Sequence, residues 1–124
     1  MSVYVDEAEN AYGRMKMCHM LADSLVELFE MADRIGVDRR WYQGFDKASC
    51  PHFDISKGKR DIAIAAGAKV VTRHELVAVM RRIKADAADR VQAGQPHGWE
   101  PVEVGFDQWW IERVSRAWAT GERG

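Results

Sequence analysis

The chemistry in this chain gathers around His52-Phe53-Asp54-Ile55-Ser56-Lys57-Gly58-Lys59-Arg60. A histidine and a carboxylate two positions apart share one face where the backbone is extended. Ser56 is placed to cap a following helix. Lys57, Lys59 and Arg60 then fall in that helix's first turn, where the macrodipole favours acids over bases. Cations at the positive end of a dipole predict a bound anion. The free N–H groups would share it with Arg60, which grips two oxygens at once, and with Lys59, a mobile point charge. The bland alternative is a solvated basic turn paired with Asp54 and Asp61.

Other polar residues could join this stretch. Asp6 ends the apolar run Val3-Tyr4-Val5, and ligands of open α/β sheets bind at the carboxyl ends of strands; a turn acid is the alternative. His19 lies in a segment, Arg14 to Leu21, that alternates with period two. It is expected to face inward with Met15 and Met17, as a hydrogen-bonded core residue or a catalyst. Trp41 or Tyr42 could stack on a base while Gln43 reads a polar edge, and one of the two aromatics is expected in the core. The candidate catalytic residues are therefore His52, Asp54 and His19. The candidate ligand-binding residues are Asp6, Trp41, Gln43, Lys59 and Arg60. Two mechanisms stay open. His52 or His19 acts as general base, with Asp54 or Asp23 setting its tautomer. Alternatively Asp6, His19, His52 and Asp54 hold a divalent metal such as Zn²⁺, Mn²⁺ or Fe²⁺, which activates water. No GxGxxG, no GxxxxGK[ST] and no nucleophile elbow is present.

The elements that must position these groups read as α/β. Strands are expected at Val3–Val5, Arg14–Leu21, near Arg40–Gln43 and at Lys69–Val71, with a loop over Glu7–Gly13. Ser24 and Glu27 make a capping box for a helix to Ile35, with Leu25, Leu28, Phe29, Ala32 and Ile35 as its stripe and Gly36 behind it. A second helix spans Lys57–Ala66, packing through Ile62, Ala65 and Ala66. A third opens at the Thr72/Glu75 capping box and runs to about Ala88, burying Leu76, Val77, Met80 and Ile83. Gly94, Pro96, Gly98 and Pro101 then mark a linker or arm. Trp109, Trp110, Ile111, Val114 and Trp118 predict an apolar helix over Phe106–Thr120, which packs back on its own domain or forms a homodimer. The expected architecture is a small sheet of three to four strands with packed helices over residues 1–91. A linker and Trp-rich helix follow over 92–124.

Composition removes several function classes. A chain of 124 residues, 47% hydrophobic and 30% charged, holds one soluble core. A net charge of −1 gives no basic field for nucleic acid or acidic membranes. No apolar run nears the roughly 18 residues of a membrane span, and the N-terminal stretch shows no basic n-region followed by an apolar h-region. Cys18 and Cys50 lack metal-site spacing and read as free thiols. The expected location is the cytoplasm.

Val3-Tyr4-Val5-Asp6, Cys18-His19-Met20-Leu21-Ala22-Asp23, Glu27-Leu28, Trp41-Tyr42-Gln43, His52-Phe53-Asp54-Ile55, Lys59-Arg60 and Gly67-Ala68 occur in this order. In that set, residues 3 to 85 resemble the bacterial and phage family catalogued as domain of unknown function 4031. The resemblance brings no activity with it. It implies that Asp6, His19, Asp23, Trp41, Gln43, His52, Asp54 and Arg60 belong to one pattern. Three functional readings remain open. The first is a protein binding a nucleotide or other phosphorylated ligand, with or without enzymatic action on it. The second is a metal-dependent hydrolase. The third is a non-catalytic module that sequesters a ligand or contacts another protein.

Overall fold

The computed structural model describes residues 2–7, 10–12 and 15–101. The expected Trp-rich helix over 106–120 lies outside them. Strands β1 (Val3–Asp6), β2 (Asn10–Tyr12), β3 (Met15–Ala22), β4 (Phe53–Ser56) and β5 (Lys69–Val71) form one mixed sheet. Helices α1 (Leu25–Ile35), α2 (Lys57–Ala65) and α3 (Arg73–Gln92) complete the α/β fold.

β3 is the spine. Val3, Tyr4 and Val5 pair antiparallel with Ala22, Leu21 and Met20 on one edge of β3, and β2 pairs with Met15–Met17 farther along it. β4 takes the other edge, setting Cys18 against Ile55, His19 against Asp54 and Met20 against Phe53. β5 runs parallel to β1 on its outer side. Cys18 and Met20 face the core while His19 faces out, half-exposed. This reverses the expected orientation. Both faces of β3 carry methionine, so alternation alone could not choose between them. Phe53 and Ile55, both buried on the facing strand, make the choice.

α1 behaves as its sequence predicts. Ser24 caps the Glu27 N–H, Gly36 ends the helix at φ 79°, and Leu25, Leu28, Phe29, Ala32 and Ile35 are buried. The Glu27 carboxylate accepts from the Ser24 hydroxyl. Asp23, just before the cap, accepts from the Ser2 N–H, the Tyr4 hydroxyl and Arg82.

Other expectations need correction. Arg39–Trp41 is a 3₁₀ turn rather than a strand, because the Asp38 carboxylate caps the Arg40 N–H and winds the chain. Of the two aromatics there, Tyr42 enters the core against Phe29 and Phe53, and its hydroxyl donates to the Trp99 carbonyl at 2.8 Å. Trp41 is 57% exposed beneath the Arg40 guanidinium. α2 buries Arg60 and Ala63, leaving Ile62 exposed. α3 runs on to Gln92 and buries Leu76, Val79, Ile83 and Ala87. Met80 packs against the core partly buried, while Val77 is exposed. The segment after α3 returns to the body through buried Trp99.

Candidate functional site

The site is built by strand register. His19 and Asp54 are direct cross-strand partners of β3 and β4, so their side chains stand together on the outer face. Just before β4, Gln43 and His52 exchange both backbone hydrogen bonds at 3.0 Å. That bridge adds His52 and Gln43 to the same patch. Asp6, at the carboxyl end of β1, comes in from the far side of β3 and is almost fully buried.

The outer polar atoms are tied down. One Asp6 carboxylate oxygen accepts the His19 backbone N–H at 2.9 Å, and the other stands 2.6 Å from His19 Nδ1. The Asp6 backbone carbonyl accepts from the Arg60 guanidinium at 3.0 Å. His52 Nδ1 lies 2.9 Å from the Cys50 carbonyl, and Gln43 Nε2 donates to Asp54 Oδ2 at 2.8 Å. The inner atoms face one another more loosely. His52 Nε2 is 3.4 Å from Asp54 Oδ1, and His19 Nε2 is 3.7 Å from the same oxygen. The two imidazole rings meet edge to face with centroids 5.6 Å apart.

These contacts select the tautomer of each neutral ring. A carbonyl oxygen only accepts, so His52 carries its proton on Nδ1. The Asp6 carboxylate assigns the same tautomer to His19. The Asp6 hydrogen bond holds the His19 pKa above the ordinary histidine value, against partial burial, which lowers it. Contact with His52 lowers the Asp54 pKa, partial burial opposes this, and the Gln43 hydrogen bond adds to the lowering.

The histidines open onto a cleft of about 730 Å³ between the sheet and α3. Asp6, Glu7, His19, Ser49, His52 and Arg73 give it a polar end. Leu76, Val77 and Met80 of α3 give it an apolar wall. The size suits a small organic ligand.

The structure therefore brings together five expected residues: Asp6, His19, Gln43, His52 and Asp54. Asp6 is the group that orients His19, while Asp23 sits elsewhere with Tyr4 and Arg82. Trp41, Gln43, Asp54, Lys59 and Arg60 do not line the cleft. At the start of α2 the Ser56 hydroxyl already takes the Lys59 N–H, and Arg60 reaches inward to Asp6. Sequence reasoning missed Glu7, Ser49 and Arg73. Arg73 carries a usable signal, a base in the first turn of a helix, the same one that singles out Lys57, Lys59 and Arg60. Among the described residues no group of three or more His, Cys, Asp or Glu side chains is placed so that it could hold a metal ion. No described helix is long and apolar enough to cross a membrane.

No curated protein and no solved structure matches the chain. One family model does, over residues 3–83, a span that contains β1 to β5, the paired histidines and the first half of α3. The chain belongs to the family described as "Protein of unknown function (DUF4031)".

Proposed function

We propose that the protein binds a small phosphorylated ligand, a nucleotide or phosphorylated metabolite, in the cleft between β3 and α3. The reacting end of the ligand lies at the histidines. The observation that carries this reading is the cleft's two-ended character. Asp6, Glu7, His19, Ser49, His52 and Arg73 supply one polar end, with Arg73 as its permanent cation, and Leu76, Val77 and Met80 supply an apolar wall. Arg73 matches a phosphoryl group because its planar fork can meet two oxygens. The α3 wall offers apolar area to the body of the ligand. Arg60, buried and bonded to Asp6, supports the site from below, and Trp41 with Lys59 lies outside the cleft.

Thermal shift tests this directly. Phosphorylated compounds should raise Tm more than chloride at equal ionic strength, because a ligand specific to the native state stabilises it by mass action. Arg73→Ala should weaken the shift for all of them. Val77→Trp, which fills the cleft, should abolish it. Shifts no larger than chloride's, or shifts untouched by both substitutions, would refute the reading.

A further inference from the structure

We infer that His19 and His52 are a general acid–base pair that cleaves a small phosphodiester carrying a neighbouring hydroxyl group, with Asp6 as the positioning residue of the acid. The inference rests on the ligand reading above and assigns the reaction in that same cleft.

The first argument is the wiring of the two rings. Both imidazoles line the cleft. Each gives its Nδ1 proton outward, His19 to the Asp6 carboxylate and His52 to the Cys50 carbonyl. Each ring is therefore held in one orientation, with Nε2 as its working atom. The outer partners differ in charge, and that difference divides the roles. Asp6 is almost fully buried and faces His19 Nδ1 at 2.6 Å, so it stabilises an imidazolium there. A backbone carbonyl brings His52 no such charge. Asp54 stands near both Nε2 atoms, but its side chain is 40% exposed and water screens it. His19 is thus the ring that carries a proton on Nε2, the acid. His52 enters with a lone pair on Nε2, the base. The raised pKa of His19, caused first by the Asp6 hydrogen bond, agrees with this division.

The second argument is that the acid's proton is not already spent. His19 Nε2 has Asp54 Oδ1 at 3.7 Å, beyond hydrogen-bond reach, so its proton remains available to a ligand oxygen. His52 Nε2 is 3.4 Å from the same oxygen. When His52 takes up a proton, that carboxylate meets the new positive charge. Because both nitrogens approach one oxygen, they stand no farther apart than the two contacts laid end to end. Such a pair can bracket a single phosphorus atom, with hydrogen bonds of about 2.6–3.2 Å to its entering and leaving oxygens.

The third argument sets the substrate. Among the described residues Arg73 is the only permanent cation lining the cleft, and Asp6 and Glu7 line it as acids. One fixed cation matches a singly charged phosphodiester, whereas a triphosphate would bring further negative charge against Glu7. A general acid and a general base each contribute about 10²–10⁴-fold. An attacking hydroxyl carried by the substrate itself adds proximity, with effective molarities of about 10⁵–10⁸ M. A ribose 2′-hydroxyl beside a 3′-phosphodiester has this arrangement, and Leu76, Val77 and Met80 offer an apolar wall to the attached base. His52 Nε2 takes the hydroxyl proton while the hydroxyl oxygen forms a P–O bond. The P–O bond to the leaving group breaks, and the leaving oxygen takes the proton from His19 Nε2. The products are a cyclic phosphodiester and an alcohol, with no water, oxidant or reductant consumed.

The experiment follows cleavage of two uridine 3′-phosphodiesters by the full-length protein in the presence of a chelator. One has a nucleoside 5′-oxygen as its leaving group. The other has p-nitrophenolate, which leaves without needing a proton. His19→Asn keeps a donor for Asp6, and His52→Asn keeps one for the Cys50 carbonyl, so each removes Nε2 and spares the outer bond. His52→Asn should lower kcat/KM by about 10²–10⁴-fold on both esters. His19→Asn should do so on the nucleoside ester but by less than about 10-fold on the nitrophenyl ester, which needs no acid. Asp6→Asn should move the alkaline limb of the pH profile to lower pH, because the acid must be protonated to act and loses the carboxylate that holds its proton. The other charged or titratable groups near His19 are Asp54 and His52 from the β4 side and Glu7 and Arg73 in the cleft lining, and this variant leaves them in place. A 2′-deoxy analogue should not turn over. A backbone amide spectrum checks that each variant is folded, and His19→Gln or His52→Gln replaces one that is not. No turnover of either ester, an equal loss on both esters in folded His19→Asn, or cleavage of the 2′-deoxy analogue overturns the inference. Thermal stabilisation by the 2′-deoxy diester without turnover of the ribose esters would keep the ligand reading while this inference fails. Turnover with the stated histidine pattern that ignores Arg73→Ala would keep the acid–base pair and refute the ligand reading.

Discussion

Asp6→Asn is the sharpest perturbation of this architecture. The substitution keeps shape and removes charge, and Asp6 is only 3% exposed, so water cannot mask the change. Asp6 serves two donors, the His19 backbone N–H at 2.9 Å and His19 Nδ1 at 2.6 Å. Asparagine has one acceptor and one NH₂ group, so it can serve only one of them. The backbone N–H cannot move and takes the amide oxygen. The NH₂ then faces His19 Nδ1, which must become an acceptor. The imidazole switches tautomer and its proton moves to Nε2, toward Asp54. One charge-assisted hydrogen bond is exchanged for a neutral one. The expected loss is about 1–3 kcal/mol by comparison with hydrogen bonds to charged groups. Each kcal/mol lowers Tm by roughly 3–5 °C in a chain of this length. Nitrogen-15 spectra of the histidine rings would report the tautomer, and urea melts the stability. The pKa of His19 should also fall, because the Asp6 hydrogen bond is the main cause that raises it. An Asp6→Asn protein with wild-type stability and a proton still on Nδ1 would refute the reasoning, and with it the aiming of His19.

Three further outcomes follow from single contacts. Arg60→Ala should lower stability by about 1.5–3 kcal/mol with or without phosphate present, since the guanidinium holds the Asp6 carbonyl; a loss seen only as weaker phosphate binding in chemical melts would contradict this. Tyr42→Phe should cost about 1–2 kcal/mol in urea, because the buried Trp99 carbonyl loses its donor while the ring packing stays. Asp23 accepts from Ser2, Tyr4 and Arg82, and these contacts hold its pKa below the ordinary value although desolvation, the largest single influence, opposes them. Its contribution to stability is therefore present above the unfolded pKa of about 3.9 and is lost as pH falls through the folded value. Asp23→Asn should flatten the acid limb of a stability–pH curve and leave its neutral limb unchanged in slope.

The helices were legible because their ends are written locally. Ser24, Ser56 and Thr72 each cap the helix that follows, and Gly36 closes α1 in the left-handed region. The face of each helix was less legible. On α2 the burial of Arg60 depends on a carbonyl 54 residues away in sequence, which no local pattern can show. On α3 the buried line passes through Val79 rather than Val77 and Met80, which border the cleft. β4 hid for another reason. Phe53–Ser56 is four residues long and runs straight into α2, so the extended His52-x-Asp54 pattern was visible but its partner strand was not.

The partner strand decides the chemistry. β3 is amphipathic in both directions by composition, with methionine on either side, and its long-range pairing selects which side is wet. Side chains alternate with a period of two, so shifting β3 against β4 by one residue would send His19 into the core and bring Cys18 out. If β3 kept its faces instead, β4 would have to turn over, and Phe53 and Ile55, at 0% and 1% exposure, would move to the solvent face, so the slip is costly either way. The same two residues flank Asp54. The apolar residues that lock β4 into the core therefore also hold its carboxylate opposite His19. Burial of Phe53 sets the register, the register pairs His19 with Asp54, and the Gln43–His52 bridge adds the second imidazole. The polar cluster on the outer face is thus a consequence of the hydrophobic pattern on the inner one. Truncating Phe53 should disturb the histidine contacts as well as the core.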